Sequence, residues 1–147
     1  MTKAVYDTNV VVSALINPDG LPALLLDLTT QGRVQLFVSS FLLREYETVL
    51  LRPKFGFSPA KINGVVRAIR ARATVVKPRE IFQVLTDPAD NHILSCAVES
   101  RVDYLVTGNT RHFPSSVFRG VGIVSPRRFW DIYQASLSVQ GAGPLKK

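Results

Sequence analysis

The hydrophobic pattern of the chain switches repeatedly between a strand period and a helix period. KAVY, residues 3–6, is a short and mostly apolar run that ends at Asp7, which reads as a buried strand. NVVVSALI (9–16) is β-branched enough for a strand but begins too close to the first to be a separate one, so a helix following Asp7 is predicted. Pro22 opens LPALLLDLTTQG and Gly32 can stop it, giving a helix over 22–30. VQLFV (34–38) is a strand, and Ser39 or Ser40 can cap the helix FLLREYETVLL, which Pro53 stops. Ser58-Pro59 opens another helix, on which Ile62, Val65, Val66, Ile69 and Ala73 make one apolar stripe. Val75 and Val76 form a short strand, Asp87-Pro88 opens a helix to about Ser100, and DYLVTG is a strand ending at Gly108. VGIV (121–124) is a last strand, and Ser125-Pro126 caps a final helix through about Ser136.

Strands alternating with helices predict an α/β fold, a parallel sheet with helices on both faces. The sequence carries no repeat, low-complexity tract or domain boundary, so residues 1–137 read as one domain and SVQGAGPLKK, 138–147, as a flexible C-terminal tail. In such sheets functional groups gather beyond the carboxyl ends of the strands. Asp7 stands at one such end and Thr107-Gly108-Asn109 at another, which would turn Asp7 toward the crevice.

Composition narrows the partner. At 147 residues one domain can bury a core without disulfides or structural metal. Hydrophobic residues at 46% and charged residues at 20% argue against disorder. Lys and Arg number 18 against 11 Asp and Glu, a net charge of +7, which favours a polyanion such as nucleic acid or an acidic protein that mimics one. The single cysteine, Cys96, excludes an internal disulfide and fits a reducing compartment. No signal-peptide pattern precedes VYDTN and no apolar run approaches the roughly 18 residues of a membrane span, so a cytoplasmic protein with no membrane partner is expected.

Asp90 is the most informative acid. On a helix starting at Pro88 it shares a face with Ile93, Leu94 and Ala97, so it should point inward, where an uncompensated charge is costly. A metal ion could compensate it, and so could the helix dipole, since Asp87 as N-cap, Pro88 and Asp90 also make a good helix start. Asp7 has the same double reading, as a cap for the helix after it or as a site residue. Glu45 and Glu47 flank the stripe of Leu42, Tyr46, Val49 and Leu50 on opposite edges, and spacing does not choose between them. Asp19 and Asp103 read as turn residues, and Asp27, Glu80, Glu99 and Asp131 as surface. Three carboxylates from separate segments converging at one sheet edge would bind a hard cation, Mg²⁺ or Mn²⁺, of the kind that promotes in-line phosphodiester displacement.

VYDTNVVVSAL, REYETVLLRPKF, DPADNHILSCA and DYLVTGNTRHF resemble, in order, the motif blocks of PIN-domain proteins, and most of all the VapC-like ribonuclease toxins of prokaryotic toxin–antitoxin systems. The blocks span about residues 3 to 113. The resemblance implies a five-stranded parallel sheet with helices on both faces and a Mg²⁺- or Mn²⁺-dependent ribonuclease acting on RNA. It also implies a small antitoxin partner and a homodimer. By it Asp7, Glu45 and Asp90 are the catalytic, metal-holding acids, which selects Glu45 over Glu47, and Asn9 and Thr107 are polar residues supporting the site. The fourth acidic position falls on Asn109, where many relatives carry aspartate. An amide oxygen still ligates a hard cation or a water, but the site is one negative charge short, so reduced metal affinity is expected.

Among the remaining residues, Arg111 is expected to contact RNA phosphate from the crevice rim, beside His112. His92 reads as a surface or capping residue, Cys96 as packing, and Phe129, Trp130 and Tyr133 as core or dimer interface. Lys61, Arg67, Arg70 and Arg72 belong to a solvated helix face. Two other functions fit the same residues less well. A PIN-like binding module without catalysis would keep the basic surface but lose metal through Asn109. A small phosphatase with Asp7 as covalent nucleophile would want an acid two residues on, where Asn9 stands.

Overall fold

The computed structural model describes residues 1–113 and 115–145, with side chains of the last helix to Leu137. The elements are β1 (Lys3–Tyr6), α1 (Thr8–Ile16), α2 (Leu21–Thr30), β2 (Gln35–Ser39), α3 (Ser40–Leu50), α4 (Pro59–Arg72), β3 (Thr74–Val76), α5 (Pro88–Ser100), β4 (Tyr104–Val106), β5 (Val117–Phe118), β6 (Val121–Val124) and α6 (Pro126–Leu145). Short 3₁₀ turns occupy Pro53–Phe55 and Thr110–His112. The hydroxyl-capped starts follow the sequence: Ser39 Oγ accepts from the Leu42 N–H at 3.2 Å and Ser58 Oγ from the Lys61 N–H at 3.1 Å. Asp87 caps α5 by accepting from the Ala89 N–H at 2.9 Å.

The sheet runs β3-β2-β1-β4-β6-β5. Its first five strands are parallel, as expected, and β5 is added as a two-residue antiparallel edge against β6. Val117 and Phe118 escape a periodicity reading because two residues carry no period. The chain moves outward from β1 through β2 to β3, returns through α5, and resumes beside β1 with β4. The order therefore reverses between β1 and β4, the place where open α/β sheets form their crevice. Helix α5 lies across β1, β2, β3 and β4. On the opposite face Tyr6 of β1 meets α2 through its hydroxyl, which donates to the Leu25 carbonyl at 2.9 Å, and α6 through the Phe129 ring at 6.1 Å.

The core is continuous through both layers, and Ile62, Ile69, Ile93, Leu94 and Ala97 are buried in it as the helical stripes required. Cys96 is fully buried, and burial pushes its thiol up to about 11, so it is an inert packing residue. Phe129 and Tyr133 are core, and Trp130 is half-buried and stacked on Tyr133 at 5.9 Å. Helix α6 continues past the expected stop near Ser136 to Leu145, so the tail assigned from Ser138 begins inside a helix. Glycine weakens a helix without forbidding its dihedrals, which is why GAG did not end it.

Tyr46 is fully buried on α3 and donates to the Tyr6 carbonyl at 2.5 Å, tying α3 to the end of β1 directly before Asp7. Tyr46→Phe removes that donor and is expected to cost about 1–2 kcal/mol. The check is a lower urea midpoint with an unchanged slope.

Candidate active site

Asp7 holds the N-cap position of α1 with extended dihedrals, yet its carboxylate makes no capping hydrogen bond. It turns instead across the sheet: Asp7 Oδ2 accepts from Thr107 Oγ1 at 2.8 Å and from Asn9 Nδ2 at 3.2 Å. Thr107, wholly buried after β4, also accepts the Asn109 N–H at 3.0 Å through the same hydroxyl. Asn9 Oδ1 accepts the Gly108 N–H at 3.0 Å. Two loops roughly a hundred positions apart are thus laced together around one carboxylate, because parallel pairing of β1 with β4 sets their ends side by side.

Asp90, in the first turn of α5, is 7% exposed and faces the same place. Its Oδ2 lies 3.2 Å from His112 Nδ1, supplied by the 3₁₀ turn after Asn109. Asp7, Glu45, Asp90, Asn109 and His112 line one open crevice of about 300 Å³. Glu45 is half-buried there, whereas Glu47 is exposed and faces elsewhere. Asn109 is exposed at the crevice mouth. Arg111 is exposed and does not line this crevice; it borders an adjoining cleft shared with Asp87, Asp90 and His112.

Burial pushes the Asp7 carboxyl above the ordinary carboxylate range, and the Thr107 hydrogen bond, the amides at the start of α1 and the His112 imidazole only partly oppose it. Asp90 is raised first by burial and then by the charges of Asp7 and Asp87, against the pull of His112. No Lys or Arg pairs with either acid among the described residues. The acids share a crevice, but among the described residues no three His, Cys, Asp or Glu side chains gather tightly enough to cage a metal ion.

Two contacts, one in the site and one outside it, were invisible to spacing. His112 reaches Asp90 because the 3₁₀ turn Thr110–His112 brings its imidazole back over α5; its place three residues after Asn109 in a turn-forming stretch was the available signal. His92 packs face to face on Phe41 of α3 at 3.9 Å and 10°, rather than lying free or capping.

The parallel sheet and the acid-lined crevice at its switch point define a PIN-type α/β domain. The PIN domain family model matches residues 3–111, and the chain belongs to that family. It is 34% identical to the uncharacterized protein MJ1680 of Methanocaldococcus jannaschii over 110 residues, 73% of this chain and 70% of that one. Its fold is that of a chain in the crystal structure of VapBC2 from Rickettsia felis bound to a DNA fragment from their promoter. That match has a TM-score of 0.56 at 16% identity and covers 84% of this chain and 98% of the other.

Proposed function

We propose that the protein is a Mg²⁺- or Mn²⁺-dependent endoribonuclease that hydrolyses RNA phosphodiester bonds, and the toxin of a toxin–antitoxin pair. The observation that carries this reading is the convergence of Asp7, Glu45, Asp90 and Asn109, from four separate segments, on one open crevice at the switch point of the sheet. Two buried acids without a Lys or Arg partner among the described residues are a site short of positive charge. The donor set is all oxygen, which Mg²⁺ and Mn²⁺ prefer, and the open side suits an ion that keeps several waters rather than one fully caged by protein. Asp7 and Asp90 would hold the ion, with Glu45 and Asn109 assisting. When bound, it supplies a Lewis acid for the scissile phosphate and lowers the pKa of water.

The chain's own residues do the positioning. Thr107 and Asn9 fix the Asp7 carboxylate, and His112 orients Asp90. Arg111 in the adjoining cleft and the net charge of +7 attract the phosphate backbone. Likeness to a chain of a VapBC complex on promoter DNA supports a small antitoxin as partner. A homodimer and a cytoplasmic location complete the proposal. Among the described residues no single helix is long and apolar enough to cross a membrane.

The test is cleavage of mixed labelled RNAs with Mn²⁺, Mg²⁺ or EDTA. Cutting that EDTA abolishes is expected; cutting that persists in EDTA would overturn the metal assignment. A second reading, a binding module on the same scaffold, is favoured by the absence of a tight acidic cage among the described residues and by the amide at Asn109. Mn²⁺ titration by calorimetry separates the two, since heat lost in Asp90→Asn belongs to the nuclease. An Asp7-nucleophile phosphatase fits least, because the Asn9 side chain is committed to Asp7 and Gly108.

A further inference from the structure

We propose that the turn RPKFGF, residues 52–57, is a subsite for unpaired RNA bases flanking the cut, a deepening that rests on the nuclease reading. Helix α3 carries Glu45 and Val49 along the crevice and then ends, and the next residues, Arg52 and Phe55, line that same crevice. Gly56 holds φ at +67°, a left-handed conformation that lets the chain reverse between two aromatic residues. The half-buried rings of Phe55 and Phe57 lie 6.0 Å apart with planes 21° from parallel. Lys54 Nζ sits 5.1 Å above the Phe55 ring, and Lys61 Nζ sits 5.2 Å above the Phe57 ring. Arg52, Lys54 and Lys61 are exposed, and none has a carboxylate within ion-pair distance among the described residues.

Alternating cations and aromatic faces beside a phosphate-cutting crevice match how single-stranded nucleic acid is held, with bases on rings and phosphates on cations. An acidic peptide would use the cations and leave two ring faces idle. A duplex would offer phosphates but no free base face. An exposed cation–π contact is weaker than a base–aromatic stack, so an incoming base displaces the ammonium, which becomes available to a phosphate.

The experiment uses the full chain in EDTA with a single-stranded oligoribonucleotide carrying 2-aminopurine. Binding is read by anisotropy and stacking by fluorescence quenching, for wild type, Phe55→Leu, Phe57→Leu, Phe55→Tyr and the double variant Lys54→Gln/Lys61→Gln. Leucine keeps apolar packing without a π-face. The leucine variants are expected to bind about fivefold to a hundredfold more weakly and to lose quenching, while Phe55→Tyr restores both. The lysine variant should lower the slope of log affinity against log salt by about 1.4. Equal binding and quenching in the leucine variants, no binding by wild type, or equal competition by polyglutamate without quenching would overturn the subsite. Binding and quenching without any Mn²⁺-dependent cutting would leave the subsite standing and sink the nuclease reading. Cutting that is unchanged in the leucine variants would do the reverse.

Discussion

Asp7→Asn is expected to abolish metal-dependent RNA cleavage and, in the same protein, to raise the melting temperature of the metal-free form at neutral pH. The first effect should be roughly 10³-fold or more, about 4 kcal/mol of barrier, because the variant loses the buried charge on which a cation would be held. The second follows from linkage. Burial raises the folded-state pKa of Asp7, so between the unfolded value of about 3.9 and the raised folded value the native state binds more protons than the unfolded one. The favourable contribution of the protonated acid is therefore complete below about 3.9 and is lost as pH rises through the folded pKa. At pH 7.5 the wild type carries the cost of an ionised buried carboxylate, and asparagine removes it while its amide oxygen still accepts from Thr107 Oγ1. Thermal unfolding in EDTA should show a gain of a few degrees at pH 7.5 that shrinks toward pH 3.5, each kcal/mol moving the midpoint by roughly 2–8 °C. A loss of stability at pH 7.5 would show that the carboxylate is held for packing rather than for a ligand.

Asn109→Asp should act in the opposite direction on both counts. The residue stands exposed at the mouth of the crevice already lined by Asp7, Glu45 and Asp90, so the substitution adds a further negative charge facing the same space. Solvent screens it, so the expected gain is about tenfold in Mn²⁺ affinity, near 1.4 kcal/mol, with faster cleavage at limiting metal. Without metal the new charge repels two acids already raised by burial, and the melting temperature in EDTA should fall. Calorimetric titration beside the cleavage assay checks both. Affinity and rate that stay level would mean that position 109 does not face the ion. Cleavage by Asn109→Asp alone, with wild type silent, would mark the natural protein as a binding module.

How much of this was legible in the chain differs residue by residue. The inward face of Asp90 was readable because Ile93, Leu94 and Ala97 repeat at helical spacing, and all four are buried. The helix starts at Pro59 and Pro88 were readable because serine and aspartate caps act within three residues of themselves. β5 was not, being too short to show a period, and the end of α6 was misplaced because glycine lowers helix stability without setting a stop. The choice of Glu45 over Glu47 came from family resemblance, not from spacing; the fold places Glu45 on the crevice and leaves Glu47 outside it.

By itself the sequence determined the alternating α/β order, the cationic balance and the motif blocks of the PIN family, since these depend on local periodicity, local capping and counts. The tertiary structure decided what Asp7 does. Locally a cap and a site residue look alike, and only the pairing of β1 with β4 brings Thr107 to within 2.8 Å of its carboxylate. The same is true of His112 on Asp90 and of the RPKFGF turn beside the acids. Each is a meeting of segments far apart in the chain, set by sheet order and helix packing, for which no period or spacing within one segment carries a signal.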